Sequence, residues 1–209
     1  QNNSSTPIVN NGFITFAEGN AGLRFDPCDD CNSTSDVFYF QIRAYTSSLS
    51  DLHDSDDVTA SIIVTAVNDE PSFTSGLDIT IYEDYGIYET DWATNISAGP
   101  PNESSQGLQF VLFTDNSSLF DSDPEINSSG QLKFSLAEDQ WGEANISVYL
   151  FDTGGIENGG DDTSESANFI ITVTPVADTP SISNSSTLED NITSSGLVIT
   201  RNAADGTEV

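Results

Sequence analysis

Wherever this chain is apolar, apolar and polar residues alternate with a period of two. In DVFYFQIRAY (36–45), Phe38, Phe40, Ile42 and Ala44 share one side, and in VTASIIVTAV (58–67) so do Ile62, Val64 and Ala66. The alternation returns in LDITIY (77–82), LQFVLF (108–113), QLKFSL (131–136), NISVYLF (145–151) and ANFIITVT (167–174), each bounded by Gly, Pro, Asn, Asp or Ser. A period of two marks strands that bury one face, and the β-branched and aromatic residues concentrate in these short runs. No window carries a sustained 3.6-residue stripe, so helices are expected to be minor. The fold expected is all-β, with strands at sandwich spacing.

Two of the runs end in similar words, AVNDEP at 66–71 and PVADTP at 175–180. Between the two prolines lies room for one complete sandwich of about seven strands. Residues 1–70 offer roughly four or five strands and 181–209 one or two, too few to close a core alone. The organisation expected is therefore a complete module over 71–180, an incomplete one over 1–70, and over 181–209 the opening strands of a further one.

Charge adds to this picture. Only Arg24, Arg43, Lys133 and Arg201 face 34 acidic residues, a formal net charge of −30 over 209 residues. Such a surface repels nucleic acid and anionic membrane, so neither is expected as a partner. Two readings of the excess stand: a divalent cation such as calcium, which prefers carboxylate and carbonyl oxygens, or a solvated acidic surface of halophilic type. Hydrophobic content of 36% with 12 Phe, 6 Tyr and 2 Trp supplies material for cores, so the charge does not imply disorder. No apolar stretch approaches the ~18 residues of a membrane span and the first residues are polar, so no signal peptide, anchor or membrane insertion is expected within these residues.

Ten asparagines open an Asn-x-Ser/Thr triplet: Asn2, Asn3, Asn32, Asn95, Asn102, Asn116, Asn127, Asn145, Asn184 and Asn191. Composition alone gives roughly four, so N-linked glycans and a secretory, extracellular route are expected; a surface merely rich in Ser, Thr and Asn is the plainer reading. Alternation in NISVYLF puts Ile146, Val148 and Leu150 on one face and leaves Asn145 free to face solvent. Cys28 and Cys31, in PCDDC, lack the further Cys or His ligands that zinc requires, since the only histidine is His53. A redox pair would sit at a helix start, and Asp29 and Asp30 would disfavour a thiolate. A local disulfide pinning an insert is expected.

Enzyme readings find little support. Carboxylates abound, but no nucleophile motif accompanies them and nothing marks a pair as catalytic, so no enzymatic activity is expected. The stretch DTGGIENGGDD (152–162) lacks the Lys and Ser/Thr of a phosphate loop, and it is a single partial match to Gly-rich calcium repeats, which need tandem copies.

Three long words, ATNISAGPPNESSQGLQFVLFTDNSSLF (93–120), GEANISVYLFDTGGIENGG (142–160) and DTSESANFIITVTPVADTP (162–180), resemble the cadherin-like, immunoglobulin-type modules that recur in tandem in giant surface proteins of bacteria and some microbial eukaryotes. LEDNITSSGLVITRNAADGTEV (188–209) resembles the opening of a second module type, and IVNNGFITFAEGNAGLRFDP (8–27) the middle of that same type. The resemblance implies a chain that enters one module partway and leaves the next early. It is then either a window on a continuous array or a protomer that assembles head to tail with itself by strand complementation.

The resemblance also implies metal ligands. Linkers similar to VNDEP present Asn and Asp oxygens to calcium, which makes Asn68 and Asp69 the first candidates, joined by Asp152 of LFDTGG. At the second linker Asp178 remains but Ala177 stands where Asn68 stands in the first; Glu83, with Glu138 or Asp139, would supplement it. A plain acidic turn between domains is the alternative for both words. The function expected is a calcium-stiffened, glycosylated, extracellular structural or adhesive element assembling end to end. The alternative is a carbohydrate-binding module of a larger adhesin or secreted enzyme, with surface glycans as partner and Trp92 or Trp141 as an aromatic platform.

Overall fold

In a computed structural model, residues 15–28, 30–33, 37–43, 56–190 and 197–202 are described. The chain divides into two compact units, 1–66 and 67–209.

In the first unit a short helix α1 (Phe16–Asn20) precedes β1 (Phe38–Ile42), which pairs antiparallel with β2 (Val58–Ile62), Phe38 opposite Ile62. Phe25 lies against Phe38 and Phe40, at ring-centroid distances of 5.4 and 5.8 Å. Cys28 and Cys31 are joined by a disulfide. Two residues on, Ser33 clasps the chain after β2: its N–H donates to Val64 O (2.8 Å), and its Oγ accepts from Val64 N–H (2.7 Å). Among the described residues of this unit no side chain is fully buried; Tyr39, Ile42, Val58 and Ile63 are all exposed.

The second unit is a β-sandwich. One sheet has the order β4 (Ile79–Tyr82), β11 (Ala167–Thr174), β10 (Gly142–Asp152), β7 (Leu108–Thr114), with β4 and β11 parallel and the other pairs antiparallel. The opposing sheet runs β5 (Ile87–Asp91), β9 (Gln131–Leu136), β8 (Phe120–Ile126), and β3 (Ser72–Thr74) pairs with β6 (Thr94–Ser97). Alternation decides what is buried. Ile146, Val148 and Leu150 of β10 and Ile171 of β11 are wholly inaccessible, and they meet Leu132, Phe134 and Leu136 of β9 in one core. β12 (Ser181–Ile182) pairs with β13 (Ile199–Thr200), and Ile182 and Ile199 are exposed.

A bulge joins β5 to β6. The N–H groups of both Trp92 and Ala93 donate to Gly130 O, each at 2.9 Å, so two residues oppose one and the strand turns from β9 toward β3. Gly130 has φ +91°, and a Cβ there would fall 2.1 Å from Ala93 O, so only glycine fits. The bulge drives Trp92 inward, 4% exposed, against Phe73 and Phe169, with its Nε1–H donating to Leu77 O at 3.1 Å. Trp92 is therefore a core residue and not the exposed platform expected of a carbohydrate site; Trp141 is 44% exposed.

Candidate metal-binding poles of the sandwich

β10 runs antiparallel to β11, so the end of β10 and the ends of β4 and β11 lie at opposite poles of the sandwich. The acidic words identified in the sequence separate onto these poles.

At the first pole, Asn68 sits within a cradle of loops. Its Nδ2 donates to Asp152 Oδ1 (2.9 Å) and to Asp161 O (2.6 Å), and its Oδ1 accepts from Gln106 Nε2 (2.7 Å). Its carbonyl accepts from Asp161 N–H at 3.1 Å. Gly154 permits this approach, since a Cβ there would lie 1.8 Å from Asn68 Oδ1. Asp152, the last residue of β10, follows the inward parity of Val148 and Leu150 and is 9% exposed. Its Oδ1 accepts a second hydrogen bond from Gly154 N–H (2.7 Å), while its Oδ2, like Gln106 Oε1, is buried and receives none from the protein.

Asp69 is exposed, and its N–H donates to both carboxylate oxygens of Glu103 at 3.2 and 3.4 Å. Glu103 ends a 3-10 turn, Pro101–Glu103, and is 5% exposed. Gly99, at φ +141°, leaves room for it, since a Cβ there would stand 2.1 Å from Glu103 Oε2. The structure thus brings Asn68 to Asp152 and Gln106, and the backbone of Asp69 to Glu103; Glu103 and Gln106 are three residues apart in NESSQG. Their signal in the sequence was an acid and an amide within the loop that feeds β7.

At the opposite pole the carboxylates of Asp84, Asp139 and Asp178 lie within 4.8 Å of one another, the one such group among the described residues. Oxygens facing each other across a calcium ion stand about 4.6–5.2 Å apart, so the trio fits one such ion. Glu83 is not among them. Continuing the inward parity of Ile79 and Ile81, it is buried, and its carboxylate accepts from Val176 N–H. Asp84, one residue on, turns outward in a left-handed conformation (φ 59°), as does Asp139 (φ 58°). Glu138 is exposed and outside the trio.

Of the sequon asparagines, Asn95, Asn102, Asn127, Asn145 and Asn184 are exposed, and Asn32 and Asn116 are half-buried; Asn2, Asn3 and Asn191, like His53, lie outside the described residues. Asn116 Nδ2 donates to Glu143 O (3.1 Å), and Asn127 Oδ1 accepts from the N–H groups of Ser129 and Gln131 (3.0 and 3.1 Å) in the turn before β9. Asn145 N–H and Nδ2 donate to the two oxygens of Asp115 at 2.8 and 2.7 Å. These bonds hold the Asp115 carboxyl below its ordinary range.

Fold and poles together define an all-β, sandwich-type unit with acidic residues at both poles, where one group, Asp84, Asp139 and Asp178, could hold a metal ion. No protein-family model matches the chain, and no curated protein matches it. No helix among the described residues is long and apolar enough to cross a membrane.

Proposed function

We propose that this chain is an extracellular structural segment, a cadherin-like, immunoglobulin-type module and its neighbours, stiffened by calcium at module junctions and joined end to end in a fibre or stalk. The observation that carries this is the first pole. A carboxylate oxygen of Asp152 is buried without a donor, in a side chain hydrogen-bonded to Asn68 of the linker word. Leaving a charged oxygen buried and unsatisfied is costly, and a bridging cation would offset that cost.

The ligand set fits a hard cation. Asp152 Oδ2, the carboxylates of Glu103 and Asp69 and Gln106 Oε1 are the oxygen donors calcium prefers at roughly 2.3–2.6 Å. The three carboxylates do not meet within 4.8 Å as those of Asp84, Asp139 and Asp178 do, so an ion would have to draw them together. Asn68 orients the set through its bonds to Asp152 and Gln106. Bound there, calcium would turn repulsion among linker and loop carboxylates into a fixed angle between modules. The trio of Asp84, Asp139 and Asp178 would repeat the arrangement at the other pole.

Strand order supports the immunoglobulin-type reading. One sheet follows the course A–B–E–D, with the B strand broken into β5 and β6, and the other follows A′–G–F–C. The exposed apolar residues of the β1–β2 and β12–β13 pairs favour completion by strands from another module, and association of the chain with itself head to tail would supply them. Calorimetric titration of the chelator-treated chain with calcium tests the reading: saturable binding in the micromolar to millimolar range is expected, and no heat up to about 10 mM would refute it.

A further inference from the structure

The outer face of the four-stranded sheet carries an aromatic patch among its polar residues. Phe113 is 61% exposed, and with Ser147, Tyr149, Phe151 and Thr163 it lines an open concavity of about 440 Å³. The rings of Phe113 and Tyr149 stand edge to face, 6.1 Å between centroids. Along β10 the outward residues are Asn145, Ser147, Tyr149 and Phe151, and Ser147 lies directly opposite Phe113 of β7. Asn145 is therefore the diagonal neighbour of Phe113, about 7–8 Å away across the strands.

Asn145-Ile146-Ser147 is a sequon, so the atom that would carry a sugar and the rings that could receive one share a face. Asp115 holds the Asn145 amide in place. Nδ2 carries two hydrogens, and donation to Asp115 uses one of them.

We propose that this face is the seat of an N-linked oligosaccharide on Asn145, whose first sugar lies with its C–H face against Phe113 and Tyr149. The inference rests on the reading of the protein as secreted and glycosylated. In the attachment step the Nδ2–C1 bond forms and the C1–O bond to a polyprenyl-diphosphate-linked donor breaks. The diphosphate leaves with the electron pair, and one amide proton is released. Attachment precedes folding of β10, because in the folded strand Asn145 is paired with Ile170 and its carbonyl accepts from Asp115 N–H.

A pyranose suits this surface, offering an apolar face to the rings and hydroxyls to Thr163 and Asn168 at the rim. A neutral occupant is also favoured by charge, since a second copy would bring a further net −30 to the face.

The test uses the whole chain secreted from a glycosylating eukaryotic host, with peptide mapping of every sequon and thermal melting of glycoforms. Asn145 is expected to be occupied, and a form trimmed to one sugar is expected to melt with the intact form. Ser147→Ala, which lacks the sugar, should melt about 2–4 °C lower. Ser147→Thr, which keeps the sequon, should match the parent, and the sugar's effect should vanish in a Phe113→Ala background. Occupied sequons elsewhere with Asn145 bare would overturn this inference alone. So would an Asn145 sugar whose removal leaves the midpoint unchanged, or association of the glycoform abolished by Phe113→Ala, which would assign the face to a second copy. A chain without sugar at any sequon would remove the glycosylated reading as well.

Discussion

Asp152→Asn separates a metal ligand from an ordinary buried acceptor. The substitution is nearly isosteric and keeps an oxygen for the hydrogen bonds from Asn68 and Gly154, but it removes the charge of a carboxylate that is 9% exposed and whose Oδ2 has no donor. In chelator, relief of an unsatisfied buried charge should leave the variant more stable than the parent by about 1–3 kcal/mol. In calcium the gap should close, and reverse where it is below about 2.7 kcal/mol. At a hundredfold excess over its dissociation constant, a ligand that binds only the folded state stabilises it by about 2.7 kcal/mol. That corresponds to a midpoint shift of about 5–10 °C for a chain of this size. The assay is a pair of thermal melts for each protein, in excess chelator and in about 10 mM calcium, a hundredfold excess for a site of ~10⁻⁴ M. Equal parent midpoints in the two conditions would refute the metal role. A variant destabilised by the same amount in both would show that Asp152 is only a structural acceptor.

Gly130→Ala places a methyl 2.1 Å from Ala93 O at a φ of +91°, so the bulge must move, and urea melts should show a loss of at least about 1–3 kcal/mol; an unchanged midpoint would mean that the bulge does not set the course from β5 to β6. Asp115 has its pKa lowered by hydrogen bonds from Asn145, so its contribution is full above the unfolded aspartate range, from about pH 5 upward, and is lost as pH falls through the folded value; melts from acid to neutral pH should show this slope weakened in Asp115→Asn. Asp139→Asn takes one carboxylate out of a trio whose oxygens lie within 4.8 Å, where each pair repels by about 1 kcal/mol or more in water. In chelator the variant should be equally or slightly more stable, by less in high salt, and calorimetry should show it losing only the weaker phase of calcium binding.

Much of this fold was legible because burial on one face leaves a period of two in the sequence. QLKFSL and ANFIITVT coincide with β9 and β11, and NISVYLF marks the centre of a β10 that extends to Gly142 and Asp152. What the pattern missed has a common cause. β8, FDSDPEI, lies outside the alternating runs because Pro124 interrupts it, yet it is an edge strand whose register shift between Ser122 and Glu125 accommodates the proline. β5 and β6 hide their continuity behind the Trp92–Ala93 bulge, which depends on a glycine 37 residues away in the chain. At the poles, parity could have told Glu83 from Asp84, because alternation from Ile79 and Ile81 carries position 83 inward. Glu103 and Gln106 were harder to find. They meet Asn68 only through the packing of two loops, and no local period records that.

The two poles differ in how their carboxylates are held, and the difference begins at a single position. Asn68 bridges Asp152, Asp161 and Gln106 with one amide, and glycines at 99 and 154 clear the space for it and for Glu103, so Asp152 and Gln106 are held in place by hydrogen bonds alone. Ala177, its counterpart in the echoed word, has no polar side-chain atom with which to bridge. Two of the three aspartates at that pole instead sit on left-handed turns, and Asp84 is exposed to solvent. An ion there would have to order the exposed Asp84 side chain with no bridging amide beside it, and the entropy of ordering it lowers the affinity. On the proposed reading, a junction built around the Asn68 pole stays rigid at calcium concentrations that leave one built on Asp178 loose. A fibre of such chains would then bend first at the Asp178 junctions as calcium falls.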